Sequence, residues 1–194
     1  MRRIKSLLTL ALCVVIFGGC SMSYSAEENS VYVNKDGEIV SAMVESFDKD
    51  YYDAEELQEM LEQSVVEYNA ENGKGSIEVE SCKVDSGKIK VVVDYATWAD
   101  YANFNNVQFF AGSMEDLQGK NYGKNVSFVS RDGSAAVSFD QIDTAYRVIL
   151  LEEKVVVQTS GKIEYVSDNV TIEGDKIARV KEDASGLAYV IYKK

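Results

Sequence analysis

The 194-residue sequence contains no histidine and no proline. Without histidine it lacks the commonest general base, the commonest zinc ligand and every Ser-His or Cys-His nucleophile pair, which removes many hydrolase classes. Without proline or a low-complexity tract, nothing marks a boundary between two domains. Cysteine is scarce: only Cys13, Cys20 and Cys82 are present. No apolar run approaches the ~20 residues that a helix needs to cross a bilayer core, the longest being Leu7–Phe17. Bases are few as well, 20 Lys and Arg against 32 Asp and Glu, for a net charge of −12. A field of that sign repels phosphate backbones and anionic headgroups, so nucleic acid is excluded as a partner and so is a polybasic membrane patch.

What is present begins with Arg2, Arg3 and Lys5, then the apolar run, then Gly18 and Gly19. That order is a secretory signal over residues 1–19. The following "FGGC" resembles the lipobox of bacterial lipoproteins, with Phe17 where the family usually has Leu. The resemblance implies cleavage before Cys20, a thioether-linked diacylglyceryl group on its sulfur, and a place on the extracytoplasmic face of the cell membrane. Two acyl chains supply the two signals that stable anchoring requires. Cleavage removes three bases and no acid, leaving 17 bases against 32 acids. It also removes Cys13 and commits Cys20 to lipid. Cys82 is left alone in the strand-like "SIEVESCKV", where it reads as a small buried hydrophobe and not as a reactive thiol.

Residues 20–30 read as a polar, lipidated tether and 31–194 as a single domain. "SVYVNKDGEIVSAMVESF" predicts two strands around Asp36-Gly37, and "SIEVESCKVDSGKIKVVVDYA" a second hairpin around Ser86-Gly87. Between them Asp53 is an N-cap and Gly73 a C-cap, and Leu57, Met60, Leu61, Val65 and Tyr68 recur at helical spacing, which predicts one long amphipathic helix over about 53–72. Thr97 with Asp100, and Ser113 with Asp116, predict two short helices. From Asn125 the pattern is almost wholly strand. Early helices and late strands predict an α+β fold, the long helix packed on a mainly antiparallel sheet.

No catalytic constellation, metal site or cofactor motif emerges. "DKDYYDAEELQE" sets Asp48, Asp50 and Glu59 at the first, third and twelfth positions of a calcium loop, but Tyr52, Asp53 and Glu55 occupy positions that need a short oxygen ligand, a glycine and an apolar residue. "SFDK" at 46–49 and "SDN" at 167–169 match two motifs of serine β-lactamases, yet the third, K-T-G, is missing. "YATWADYANFNNVQFF" crowds aromatic rings among asparagines, and Trp98, Tyr101 and Phe104 are the candidate ligand-binding residues there; the same spacing also docks a helix on a core. "FDKDYYDAEELQ", "EYNAENG", "DYANFN" and "GKIEYVSDNV" together resemble segments of small lipoproteins of anaerobic Gram-positive bacteria. That resemblance covers nearly the whole mature chain, implies an envelope location, and brings no catalytic residue. The expected function is therefore a membrane-anchored, non-enzymatic binding or interaction module for an envelope protein, peptide or glycan. The alternative is a cell-envelope hydrolase working through paired carboxylates, which needs no histidine.

Overall fold

The structure, a computed structural model, describes residues 27–118, 122, 126–134 and 136–193. The signal sequence, Cys20 and the tether as far as residue 26 lie outside the described residues. In chain order the elements are β1 (Ser30–Val33), β2 (Ile39–Ser46), α1 (Ala54–Asn72), β3 (Ile77–Asp85), β4 (Lys88–Tyr95), α2 (Trp98–Asn105), β5 (Phe109–Ser113) and α3 (Met114–Gln118). There follow β6 (Ser127–Ser130), β7 (Ala136–Ser138), a 3-10 turn (Phe139–Gln141), β8 (Arg147–Leu151), β9 (Val156–Thr159), β10 (Ile163–Ser167), β11 (Val170–Ile172), β12 (Ile177–Val180) and β13 (Ala188–Tyr192).

The strands form two sheets. The first has seven strands in the order β11-β12-β9-β1-β2-β4-β3, and the second six in the order β5-β8-β13-β10-β6-β7. Neighbours are antiparallel except β1 and β9, which run parallel with Ser30 opposite Val156. Two hairpins in the first sheet are built by local chemistry. Asn34 Oδ1 accepts from the Asp36 and Glu38 amides at 2.9 and 3.0 Å, shaping the turn that Gly37 completes at φ 94°. Ser86 and Gly87 both take positive φ, 52° and 75°, the geometry that matches a tight turn to strand twist.

A fold of thirteen strands among the described residues, with helices of 19, 8 and 5 residues, is mainly β. The expected α+β fold, a long helix serving as the second layer over one sheet, is therefore corrected. The reason lies in which faces need covering. In the second sheet β13 is buried at all five positions and β8 at four, so apolar side chains leave both faces of those strands. One face meets the first sheet, where Val31, Val33, Tyr95, Ile149, Leu151, Val157 and Val190 share a core. The other is capped by Met114 and Leu117 of α3 with Phe139 and Ile142, around Phe128, Val148 and Tyr189. By contrast α1 buries only Val65, with Leu57, Leu61 and Tyr68 half-buried against β3 and its neighbours. One buried valine contributes about 1.5–3 kcal/mol, too little to make this helix a layer of the fold.

Instead α1 is held by its ends. Asp53 accepts from the Glu55 and Glu56 amides at 2.9 and 3.2 Å, and Gly73 closes the last turn at φ 118°. Near its C-terminus, Asn69 exchanges two hydrogen bonds with the Ile77 backbone, 2.8 and 2.9 Å, and so docks the helix on the first residue of β3.

Candidate functional site

The aromatic segment of α2 faces inward. Tyr101 is 3% exposed and its ring stands edge-on to Tyr95 at 5.0 Å and Phe109 at 4.7 Å. Phe104 meets Tyr68 of α1 at 5.6 Å, and Trp98 meets Phe110 at 5.0 Å where the two cores adjoin. The Tyr101 hydroxyl donates to both oxygens of Glu153, each at 2.9 Å. Burial, and then the nearby Glu153 charge, push the Tyr101 hydroxyl well above the usual tyrosine range, so it remains a donor. Burial also raises Glu153, partly offset by that same hydrogen bond. These rings join α1, α2 and both sheets; Trp98 and Phe104 are half-buried, and Tyr101 offers no face to solvent.

The serine motifs do not converge. Ser46 ends β2 in the first sheet, while Ser167 ends β10 in the second. Ser167 is 1% exposed and its hydroxyl is engaged, donating to Asn169 at 2.6 Å and accepting from the Tyr189 amide at 2.8 Å. It borders a shallow cleft of about 450 Å³ with Ser127, Asp168, Asn169 and Leu187. In the calcium-like segment Asp53 is spent on capping α1 and Asp48 lies 3.6 Å from Lys49. Among the described residues no group of carboxylates and cysteine is arranged to hold a metal ion.

The exposed aromatic side chains gather elsewhere, at the end of the first sheet where β2 runs into α1. Phe47 follows β2 and its amide donates to the Gly87 carbonyl at 2.7 Å, which fixes the chain beside the β3–β4 turn. Its half-buried ring stacks obliquely on Tyr52 at 5.0 Å, and Tyr52 meets Tyr51 edge-on at 5.0 Å. Tyr51 is 75% exposed and Tyr52 43%. Strand register sets two more apolar groups on the inner side of the first sheet: Met43 stands opposite Val91, and Val84 opposite Ile89. They too are open to water, at 44% and 45%. The Tyr52 hydroxyl is pushed above its usual range, chiefly by the adjoining Tyr51.

A groove of about 490 Å³ lies along the start of α1, lined by Ala54, Glu55, Gln58, Glu59, Glu62 and Cys82. Among the described residues no Lys or Arg is ion-paired with Glu55, Glu59 or Glu62. Burial, and then Glu62, push the Cys82 thiol up, away from the thiolate that reactivity requires. The polypeptide also enters the domain at this end. The Asn29 amide bonds the Val44 amide at 2.7 Å and Glu45 at 2.9 Å, and Arg179 holds Glu28 through two bonds of 2.6 and 2.8 Å. In the sequence Tyr52 stands out only as a misfit of the calcium-like segment, and neither Phe47 nor Tyr51 stands out. Their signal is three aromatic residues within six positions of a loop, ahead of a helix cap, of which only Phe47 packs against the core.

Comparison with family models, curated proteins and solved structures finds no match for this chain.

Proposed function

We propose that this protein is a lipoprotein of the extracytoplasmic membrane face, anchored through Cys20, whose domain is a non-enzymatic binding module. The observation that carries the binding reading is the exposed end formed by Tyr51, Tyr52, Met43 and Val84. Large apolar side chains exposed on one side of a sheet, with a groove along the start of α1, are what a recognition face requires. The anchor reading rests on the sequence around Cys20. Seven residues separate Cys20 from Glu28, so a lipid on Cys20 would hold Glu28, where the chain enters the domain, within about 28 Å of the membrane. Fractionation tests the anchor: wild-type protein should sediment with membranes and take up a fatty-acid label, whereas Cys20→Ser should not be acylated. Chemical cross-linking of the full-length protein in its native envelope, followed by mass spectrometry, tests the module; a reproducible partner cross-linked near residues 47–62 supports it.

One observation favours a carboxylate hydrolase as second reading. Burial, followed by the charges of Glu80, Glu78 and Glu38, pushes Asp94 up to about 6, the range of a general acid. Asp94 lies on the outward face of β4, since Ile89, Val91, Val93 and Tyr95 point into the core, and it lines neither cleft described above. Release of reducing ends from envelope glycans by wild type, abolished in Asp94→Asn, would favour the hydrolase.

A further inference from the structure

We infer that the aromatic end of the first sheet receives a lysine- and arginine-rich segment of an envelope protein. This rests on the binding-module reading and names the chemistry of its partner. The surface offers exposed apolar groups: Tyr51, Tyr52, Met43 and Val84 are all more than 40% exposed, and Phe47 packs against Tyr52, which in turn meets Tyr51. What decides the occupant is how charge is divided around it. Residues 45–62, which carry the rings and the start of α1, hold eight acids and one base, Lys49, and that base sits beside Asp48.

Other cations are nearby in sequence but face the other way. Lys83, Lys88 and Lys90 alternate with Cys82, Val84, Ile89 and Val91, whose side chains lie on the inner face, so the lysines occupy the outer one. Around the aromatic face carboxylates therefore predominate, among them Asp48, Asp50, Glu55 and Glu59, with Lys49 as the single base of the segment. Exposed tyrosine rings attract ammonium and guanidinium groups through their π faces, and the guanidinium plane stacks on them. Glu55, Glu59 and Glu62, which line the groove, recur three and four residues apart along α1 and provide acceptors for basic side chains, Glu62 also accepting from Gln58 at 2.7 Å. An anionic membrane surface carries charge of the same sign as this rim and is repelled by it.

The experiment uses full-length protein in neutral detergent and a fluorescent dodecapeptide of alternating Arg and Lys with central Tyr. The controls are its Glu-substituted counterpart and vesicles of one-third phosphatidylglycerol. Binding of the basic peptide should weaken about tenfold in Tyr51→Ala/Tyr52→Ala, because two ring contacts are lost. It should weaken in Asp48→Asn/Glu55→Gln/Glu59→Gln with a shallower dependence on salt. Tyr51→Ala alone, at a largely exposed position, should fold normally and show part of the loss. Equal binding of basic and acidic peptides, or undiminished binding by both multiple variants, overturns the inference. So does Tyr51-dependent binding to the anionic vesicles without binding to the peptide, which would assign the face to the membrane. A partner cross-linked near residues 47–62 whose capture survives both multiple variants leaves the module reading standing and overturns this one.

Discussion

Tyr101 and Glu153, 52 residues apart in sequence, are joined by a forked hydrogen bond that ties α2 to the turn between β8 and β9. The carboxylate is half-buried and its charge is tolerated because that hydroxyl meets it. Tyr101→Phe should cost about 1–3 kcal/mol of stability, the penalty of leaving a partly buried acceptor without its donor. Glu153 is already raised by burial, and loss of the bond raises it further. A raised folded-state value favours the protein below the unfolded value and is lost as pH rises through the folded one. Tyr101→Phe should therefore be more damaging at pH 7 than at pH 4. Denaturation of Tyr101→Phe, Glu153→Gln and the double variant at both pH values checks this, and additive losses with no pH dependence would contradict it.

Asp94 carries a second pH signature with the same sign. It is raised from 3.8 to about 6 by burial and by Glu80, Glu78 and Glu38, so stability should decline as pH rises from about 4 to about 6. Asp94→Asn should flatten that decline and stabilise the protein at pH 7 by about 1 kcal/mol, the linkage being discounted because the side chain is only half-buried. Thermal melts across pH 3.5–7.5 measure it, and a variant less stable than wild type at pH 7 would refute the assignment.

Asn69 does for α1 what packing does not. Asn69→Asp keeps the acceptor for the Ile77 amide but loses the donor to the Ile77 carbonyl, and should cost about 1–2 kcal/mol. Hydrogen exchange should quicken in α1 more than in β13, whose five residues are all buried.

At Gly161 a Cβ would stand 1.5 Å from the Lys193 carbonyl oxygen. Main chain cannot yield as a side chain can, so Gly161→Ala should destabilise by about 3 kcal/mol. A midpoint in urea within experimental error of wild type would show that the C-terminal strand does not pass there.

Local signals in the sequence correspond to local features of the fold. Asp53 and Gly73 mark the limits of α1, and Ser86-Gly87 marks a turn, because caps and tight turns are decided within four residues. The balance of the architecture was not legible. β1 and β9 pair in parallel across more than a hundred residues, and nothing local in "SVYV" or "VVQT" specifies that partner. The helical periodicity of α1 marks Leu57, Leu61, Val65 and Tyr68 as inward but also Met60, which is 62% exposed, and it does not register how little of the helix is buried, hence the α+β expectation. β5, "FFAGS", was read as the tail of an aromatic patch because its burial on both faces erases the alternation that betrays a strand. At the candidate site, Tyr51 and Tyr52 lie between Asp50 and Asp53, where the calcium-like spacing of the carboxylates masks the rings between them.

Photo-cross-linking from the aromatic end tests the central claim most directly. A benzophenone-bearing phenylalanine in place of Tyr51, in the full-length protein expressed in its native envelope, should yield one discrete covalent adduct with a basic partner. The same residue in place of Val66, 67% exposed on the far part of α1, should yield none. No adduct from position 51, or the same adducts from both positions, would contradict a binding module that works through Tyr51 and Tyr52.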